Sequence, residues 1–427
     1  MMDVAGKHTP LAVGWSQFRR HQFNLSAMVV VFALTVVPLS GLGSSLVGSF
    51  GQVRIASLSL TAAIGAFIGL LSWTLVAIHP RIPASAGRVT AAFASFFVAC
   101  AGSAVLGIVT RQGIQFLSVL VAALGVLVLS AAVRTRMGES LDDVAAGSIR
   151  LVSFVLGVAL VVGAVGAPIQ VSPRTSALVA LLGISWFLSE HRAGRKHALW
   201  WAFALTVAVA LSLSRSALAA AFILVVGTLV IASPHHRLRN AMIALVLTLA
   251  SFWAITSWTP LHQRFFSGDL SLTVAGVKVN AEGRTHLWAV LWSEVPNDPV
   301  LGHGLGAASA RTVEIDPTID QPHNDYLRLI YDVGIVGIGL FVWSACRVTR
   351  LLRRARRSGL PSIAPLAALN AGLAILIVMI TDNPLDYPFV MIPLGALIGL
   401  GLGAGASRGP DSDPDRQPSS RGRRLGV

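Results

Sequence analysis

Apolar runs close to twenty residues recur along this chain, and they limit its fold more than any other feature. As a helix, a run of that length crosses a hydrocarbon core of about 30 Å. Lipid offers no partners for backbone N–H and C=O groups, so such runs must be helical. Only 12% of the 427 residues are charged, against about twice that in soluble domains. The expected class is an all-α polytopic membrane protein.

Twelve spans are expected, at 25–47, 57–78, 89–110, 114–133, 150–167, 175–190, 198–213, 216–233, 240–257, 326–346, 362–381 and 388–406. If the N-terminus is cytoplasmic, 24 of the 33 Lys and Arg residues fall in cytoplasmic segments, at least two in every loop. That is the bias that sets orientation. It also explains the net charge of +14 without nucleic acid. Both termini are then inside. The chain divides into an N-terminal cytoplasmic segment (1–24), helices 1–9 (25–257), a large outer loop between helices 9 and 10 (258–325), helices 10–12 (326–406) and a disordered cytoplasmic tail (407–427). The first apolar run lacks a small-residue cleavage site and reads as a retained span. Cys100 and Cys346 fall inside spans, where a disulfide is not expected.

The 258–325 loop is the one long polar interruption. From Arg284 a helical pattern begins, with Leu287, Val290, Leu291 and Val295 on one face, until Pro296-Asn297-Asp298-Pro299 ends it. This stripe suits a helix that caps the bundle or lies on the membrane surface. Gly302-His303-Gly304-Leu305-Gly306 follows. At the point of re-entry stands Gln321-Pro322-His323-Asn324-Asp325, where Asn324 or Asp325 can cap the tenth helix.

Of the four outer histidines, His323 is placed to take a proton from a hydroxyl, although a polar residue at a helix start needs no function. Arg215 lies in the short polar hairpin Ser212-Leu213-Ser214-Arg215-Ser216, where arginine either snorkels or finds a partner. Arg284 taken alone is an ordinary loop arginine. Two arginines and a histidine on one face suit a lipid-linked phosphate substrate. A guanidinium offers planar paired donors to phosphate oxygens and keeps its charge. The chemistry indicated is glycosyl transfer by direct displacement.

These residues resemble the O-antigen ligase and O-antigen polymerase superfamily of bacterial envelope proteins. The resemblance rests on Ser214-Arg215-Ser216-Ala217, on Gly283-Arg284 through Trp288, on Pro299 through Gly306, and on His323-Asn324 followed after nine residues by Gly334 and then Gly337. Trp288 stands where the ligase pattern often has Leu. The resemblance implies a GT-C-like glycosyltransferase of the bacterial inner membrane with its active site facing the periplasm, and makes 258–325 a periplasmic loop. It would move a glycan from undecaprenyl pyrophosphate to the lipid A core oligosaccharide, inverting and without metal. It further implies His323 as catalytic base, and Arg215 and Arg284 as binders of the donor pyrophosphate. No cofactor is expected, and the partners are the two glycan substrates and membrane lipids. The first outer loop, around 50–54, lacks the acidic pair that holds a cation in many GT-C enzymes, and Asp411-Ser412-Asp413 lies in the tail. A polymerase of O-antigen or exopolysaccharide repeats shares the donor chemistry. Transfer of a glycan to protein shares the architecture. A lipid-glycan flippase or transporter is the reading from another class. It fits the sparse charges within the spans poorly.

Overall fold

The computed structural model describes residues 24–40, 54–78, 82–164, 173–231, 239, 242, 246, 249, 253, 257, 259–268, 272–274, 277–280, 283–358 and 362–406. The N-terminal segment up to residue 23, the tail from 407 with Asp411 and Asp413, and most of the ninth expected span lie outside these residues.

The described residues form helices α1 (Asn24–Ser40), α2 (Arg54–Ala77), α3 (Ala84–Leu106), α4 (Arg111–Met137), α5 (Glu139–Ala164), α6 (Pro173–Arg192), α7 (Ala198–Leu211) and α8 (Arg215–Ile231). Next come α9 (Thr259–Phe266), α10 (Arg284–Glu294), α11 (Ala307–Ile315), α12 (Asp325–Arg357), α13 (Ala364–Val378) and α14 (Pro388–Ala404). Among the described residues, α3, α4, α5 and α12 are long and apolar enough to cross a membrane. Seen from the chain, this is a helical, multi-pass membrane protein. Met242, Val246, Leu249 and Trp253 are helical, spaced by three or four residues, and all exposed, as a lipid-facing stripe requires.

Helix α4 is the axis of the bundle. Its start is capped by the Thr110 hydroxyl, which accepts from the Gly113 N–H at 3.2 Å. It ends at Gly138, whose φ of 63° reverses the chain in one residue before α5. The expected loop from 134 to 149 is therefore almost wholly helical. Arg134 is buried in the last turn of α4 and pairs with Asp142 at 2.7 Å, because a cation so placed has to find a carboxylate.

Helix α14 lies against α4 along Gly395, Gly399 and Gly403, one glycine per turn. A Cβ on these residues would sit 2.3 Å from the Ala123 carbonyl oxygen, 2.2 Å from that of Leu127 and 2.7 Å from that of Ala131. In lipid, apolar side chains gain little by leaving their surroundings, so helices associate through close backbone packing. On the other side of α4, Gly69 of α2 meets Ala122, and the Trp73 Nε1–H donates to the Val121 carbonyl at 3.0 Å.

A polar cap closes one end of the bundle. Its small core joins Leu287 and Leu291 of α10, Ala307 and Ala308 of α11, and Leu327 and Tyr331 of α12. The loop between α10 and α11 threads between two anchors. One is the α3–α4 turn, where β1 (Ile108–Val109) pairs in parallel with β4 (Gly304–Leu305); numbered between them in the chain, β2 (Leu272–Val274) and β3 (Val277–Val279) form an antiparallel pair. The other anchor is a break in α12 at Gly334, with φ 64° and ψ −170°. The break frees the N–H of Ile335 to donate to the Pro299 carbonyl at 2.9 Å, and that of Val336 to donate to Val300 at 3.3 Å. Asp332, just before the break, accepts from the N–H groups of Gly306 (3.1 Å) and Ala308 (2.7 Å), and so caps α11.

Replacing Gly399 by Leu should force α4 and α14 apart and destabilise the protein by about 1–3 kcal/mol or more. Thermal unfolding in detergent, read by size-exclusion chromatography, should show a lower midpoint and loss of the monodisperse peak. The same change at Gly372, where an added Cβ meets nothing within 4 Å, should leave both unchanged.

Candidate functional site

The site is built where several helices begin. Arg174 lies in the first turn of α6, Arg215 and Arg284 are the first residues of α8 and α10, and His323 precedes the Asn324 cap of α12. A helix start carries unpaired N–H groups and a partial positive charge, so it draws anions. Asn324 fixes the start of α12 by accepting from the Leu327 N–H at 3.0 Å.

His323 has φ 52°, in the left-handed region that disfavours a side chain. Such a conformation costs roughly 1–3 kcal/mol and persists when its surroundings impose it. Here both flanks are tied. The Trp288 Nε1–H of α10 donates to the Pro322 carbonyl at 2.7 Å. The Asn383 amide donates to the Gln321 side-chain oxygen at 2.5 Å, and the Asp325 N–H donates to the Met379 carbonyl at 2.9 Å. The one other non-glycine residue of positive φ among the described residues is Leu213, at 56°, two residues before Arg215.

The imidazole meets an ion pair that the sequence had not singled out. Arg174 Nε donates to Asp382 Oδ2 at 2.7 Å, and its Nη2 lies 2.6 Å from Oδ1. The same Nη2 is 3.2 Å from His323 Nδ1. Asp382 Oδ1 is 4.0 Å from Nδ1 and also accepts from the Tyr387 hydroxyl at 3.2 Å. Asp382 has no exposure, whereas 37% of the Arg174 side-chain surface is open.

Arg284 reaches the same stretch, its Nη1 donating to the Thr381 carbonyl at 3.3 Å, one residue before Asp382. The structure thus brings Arg284 and His323 to one short link between α13 and α14. Arg215 stands one step away: it donates to the Asn280 carbonyl, on the segment that leads into α10. Asn280 in turn donates its N–H to Phe265 of α9 at 2.7 Å.

Beneath the histidine lies a second buried group. Arg328 pairs with Asp325 at 2.6 Å and with Asp386, and its guanidinium sits 4.7 Å over the Phe116 ring. Asp325 Oδ2 also accepts from the Leu385 N–H at 3.0 Å. Burial pushes the Asp386 carboxyl up, and the neighbouring Arg328 opposes that shift. These charges hold the 382–386 link against the start of α12, at the edge of spans that themselves carry few charges. The signal was present in Asp382-Asn383-Pro384-Leu385-Asp386-Tyr387: two carboxylates in a short link between apolar helices require partners. Arg174, at the mouth of α6, was one of them.

His303 is not part of this group. It stacks on Tyr331 with centroids 4.2 Å apart, and its backbone N–H donates to the Tyr331 carbonyl at 2.9 Å. His262 and His286 are exposed. Among the described residues no group of three or more His, Cys, Asp and Glu side chains could hold a metal ion.

Residues 197–342 match the family model for O-Antigen ligase. The resemblance to the O-antigen ligase superfamily is thereby shown over a third of the chain. The matched region contains Arg215, Arg284, His323 and the Gly334 break, and ends before Asp382; Arg174 precedes it. No curated protein matches the chain.

The cap carries its own pH-sensitive tie. Arg311 of α11 donates to both Glu294 oxygens at 2.7–3.1 Å, and the Tyr331 hydroxyl donates to Glu294 at 2.9 Å. The Arg311 hydrogen bonds hold the Glu294 carboxyl below its usual range. A depressed carboxylate stabilises the fold above its unfolded pKa of about 4.3, and that contribution is lost as pH falls through the folded value. Proteolysis within 283–316 should therefore quicken on acidification below about pH 4.3 in the wild type. In Glu294→Gln it should be faster already at neutral pH and should change less with acid.

Proposed function

We propose that this protein is an O-antigen ligase-like glycosyltransferase, working on the periplasmic face of the bacterial inner membrane. It would transfer a glycan from undecaprenyl pyrophosphate to the lipid A core oligosaccharide, with inversion and without metal. The observation that carries this reading is the approach of Arg284 and of the Arg174–His323 pair to two adjacent residues, Thr381 and Asp382, in the α13–α14 link.

In this reading Arg284 and Arg215 bind the donor pyrophosphate, aided by the helix starts they occupy. Their charge stabilises the leaving group, the part a metal plays elsewhere. His323 takes the proton of the acceptor hydroxyl through Nε2. The hydroxyl oxygen attacks the anomeric carbon as the bond to pyrophosphate breaks, and undecaprenyl pyrophosphate leaves with the electron pair. The strained backbone at His323 supports the assignment, because the surroundings hold the ring in a conformation that local preference resists. A polymerase would place the same chemistry before a different acceptor.

Purified protein given a polyprenyl-pyrophosphate-linked glycan and lipid A core should lengthen the core oligosaccharide. His323→Ala should lower the rate by about 10²–10⁴-fold with an unchanged elution profile. Elongation on the polyprenyl carrier would make the protein a polymerase. Glycan movement across vesicles without transfer would make it a flippase. Full transfer by His323→Ala would remove the histidine from the mechanism.

A further inference from the structure

We infer that Arg174 is a positioning residue that keeps His323 from acting as a base until the donor pyrophosphate draws it away. The inference rests on the reading of His323 as the base.

A neutral imidazole carries one proton, on Nδ1 or on Nε2. Arg174 Nη2 is a donor without acceptor capacity and lies 3.2 Å from Nδ1. Nδ1 must then accept, which puts the proton on Nε2. In that tautomer Nε2 donates and cannot take a proton from a hydroxyl. The resting geometry is thus wrong for a base. The group that would correct it is at hand. Asp382 Oδ1 lies 4.0 Å from Nδ1, fully buried, held by the Asn383 N–H at 2.8 Å and the Tyr387 hydroxyl at 3.2 Å. If Arg174 moves off, Asp382 accepts from Nδ1–H, and Nε2 becomes the acceptor.

Of the three groups, Arg174 has the most open side chain, with 37% of its surface exposed against 17% for His323 and none for Asp382. It is therefore the member an incoming anion can reach. A pyrophosphate brought by Arg284, whose guanidinium bonds the residue next to Asp382, competes for it directly. During the reaction the acceptor O–H proton goes to Nε2, the new C–O bond forms, and the bond to pyrophosphate breaks. The imidazolium that results carries both ring protons and faces Asp382. Arg174 from α6 and Asp382 from the α13–α14 link meet the ring; the other charged and titratable groups on the elements packed there are Tyr387 on the same link, Arg284 on α10 and Asp325 two residues along α12.

The test is the pH dependence of transfer by the full-length protein in detergent, with the polyprenyl-pyrophosphate-linked glycan varied. The profile of kcat/KM reports the free enzyme and that of kcat the donor complex. In the wild type, Arg174 beside His323 disfavours the imidazolium only in the free enzyme. The acid limb of kcat/KM should lie about one pH unit or more below that of kcat. Arg174→Met should bring the two limbs together by raising that of kcat/KM, and should raise KM for the donor more than it lowers kcat. Arg174→Gln keeps an amide N–H for Asp382 but carries no charge against the imidazole, and its amide oxygen can accept from Nδ1–H. It should also close the gap, and serves if the methionine variant does not fold. Coincident limbs in the wild type would overturn the inference, as would a wild-type gap in a folded variant. An equal loss of kcat and kcat/KM at every pH would reduce Arg174 to structural support. Inactive His323→Ala together with no gap would remove this inference alone, whereas active His323→Ala would remove the reading beneath it.

Discussion

A carboxylate with no access to solvent has to be paired, and Asp382 is such a group. Its partner, Arg174, comes from the start of α6, more than two hundred residues earlier in the chain. That one pair fixes the link between the last two helices to the middle of the bundle. Arg284, Gln321 and His323 then take their places from the same link, through Thr381, Asn383 and Arg174. The second buried pair, Arg328 with Asp325 and Asp386, holds the other end of the link to α12. The polar end of the bundle is thus tied by arginines paired with buried carboxylates, while the apolar body is tied by close helix packing.

The glycines after His323-Asn324 act through the backbone. Gly334 lets α12 break, so that two N–H groups bond the incoming loop at Pro299 and Val300 in place of their own helix. The run from Pro299 to Gly306 lies in the gap so formed, with Asp332 capping α11 at its far end. Two motifs that are distant in sequence therefore serve one purpose, docking the polar cap onto the bundle. Trp288 belongs to the same account. A leucine at that place would pack, but would lack the N–H that ties α10 to the Pro322 carbonyl beside His323.

The helical membrane class was legible because hydropathy depends on local composition. The α10 stripe was legible for a similar reason: Leu287 and Leu291, read at helical spacing, do enter the core of the cap. The expected cap at Asn324 is made by its side chain. What escaped was whatever depends on a distant partner. Arg134 read as a loop residue because its run of charges ends an apolar segment, yet a single glycine turn returns Asp142 to it inside the bundle. The glycines of α14 drew no attention, since nothing in their own spacing says that α4 will lie against them.

By itself, the sequence determined the helices, the apolar surfaces, the one polar interruption and the residues that resemble the ligase pattern. These are set by composition and short-range spacing, to which lipid and backbone respond directly. Only the tertiary structure decided the company His323 keeps. Arg174 and Asp382 lie 149 residues before it and 59 residues after it, and an isolated arginine or aspartate in sequence carries no sign of its partner. Pairing follows from desolvation and distance, and both exist only once the helices have packed.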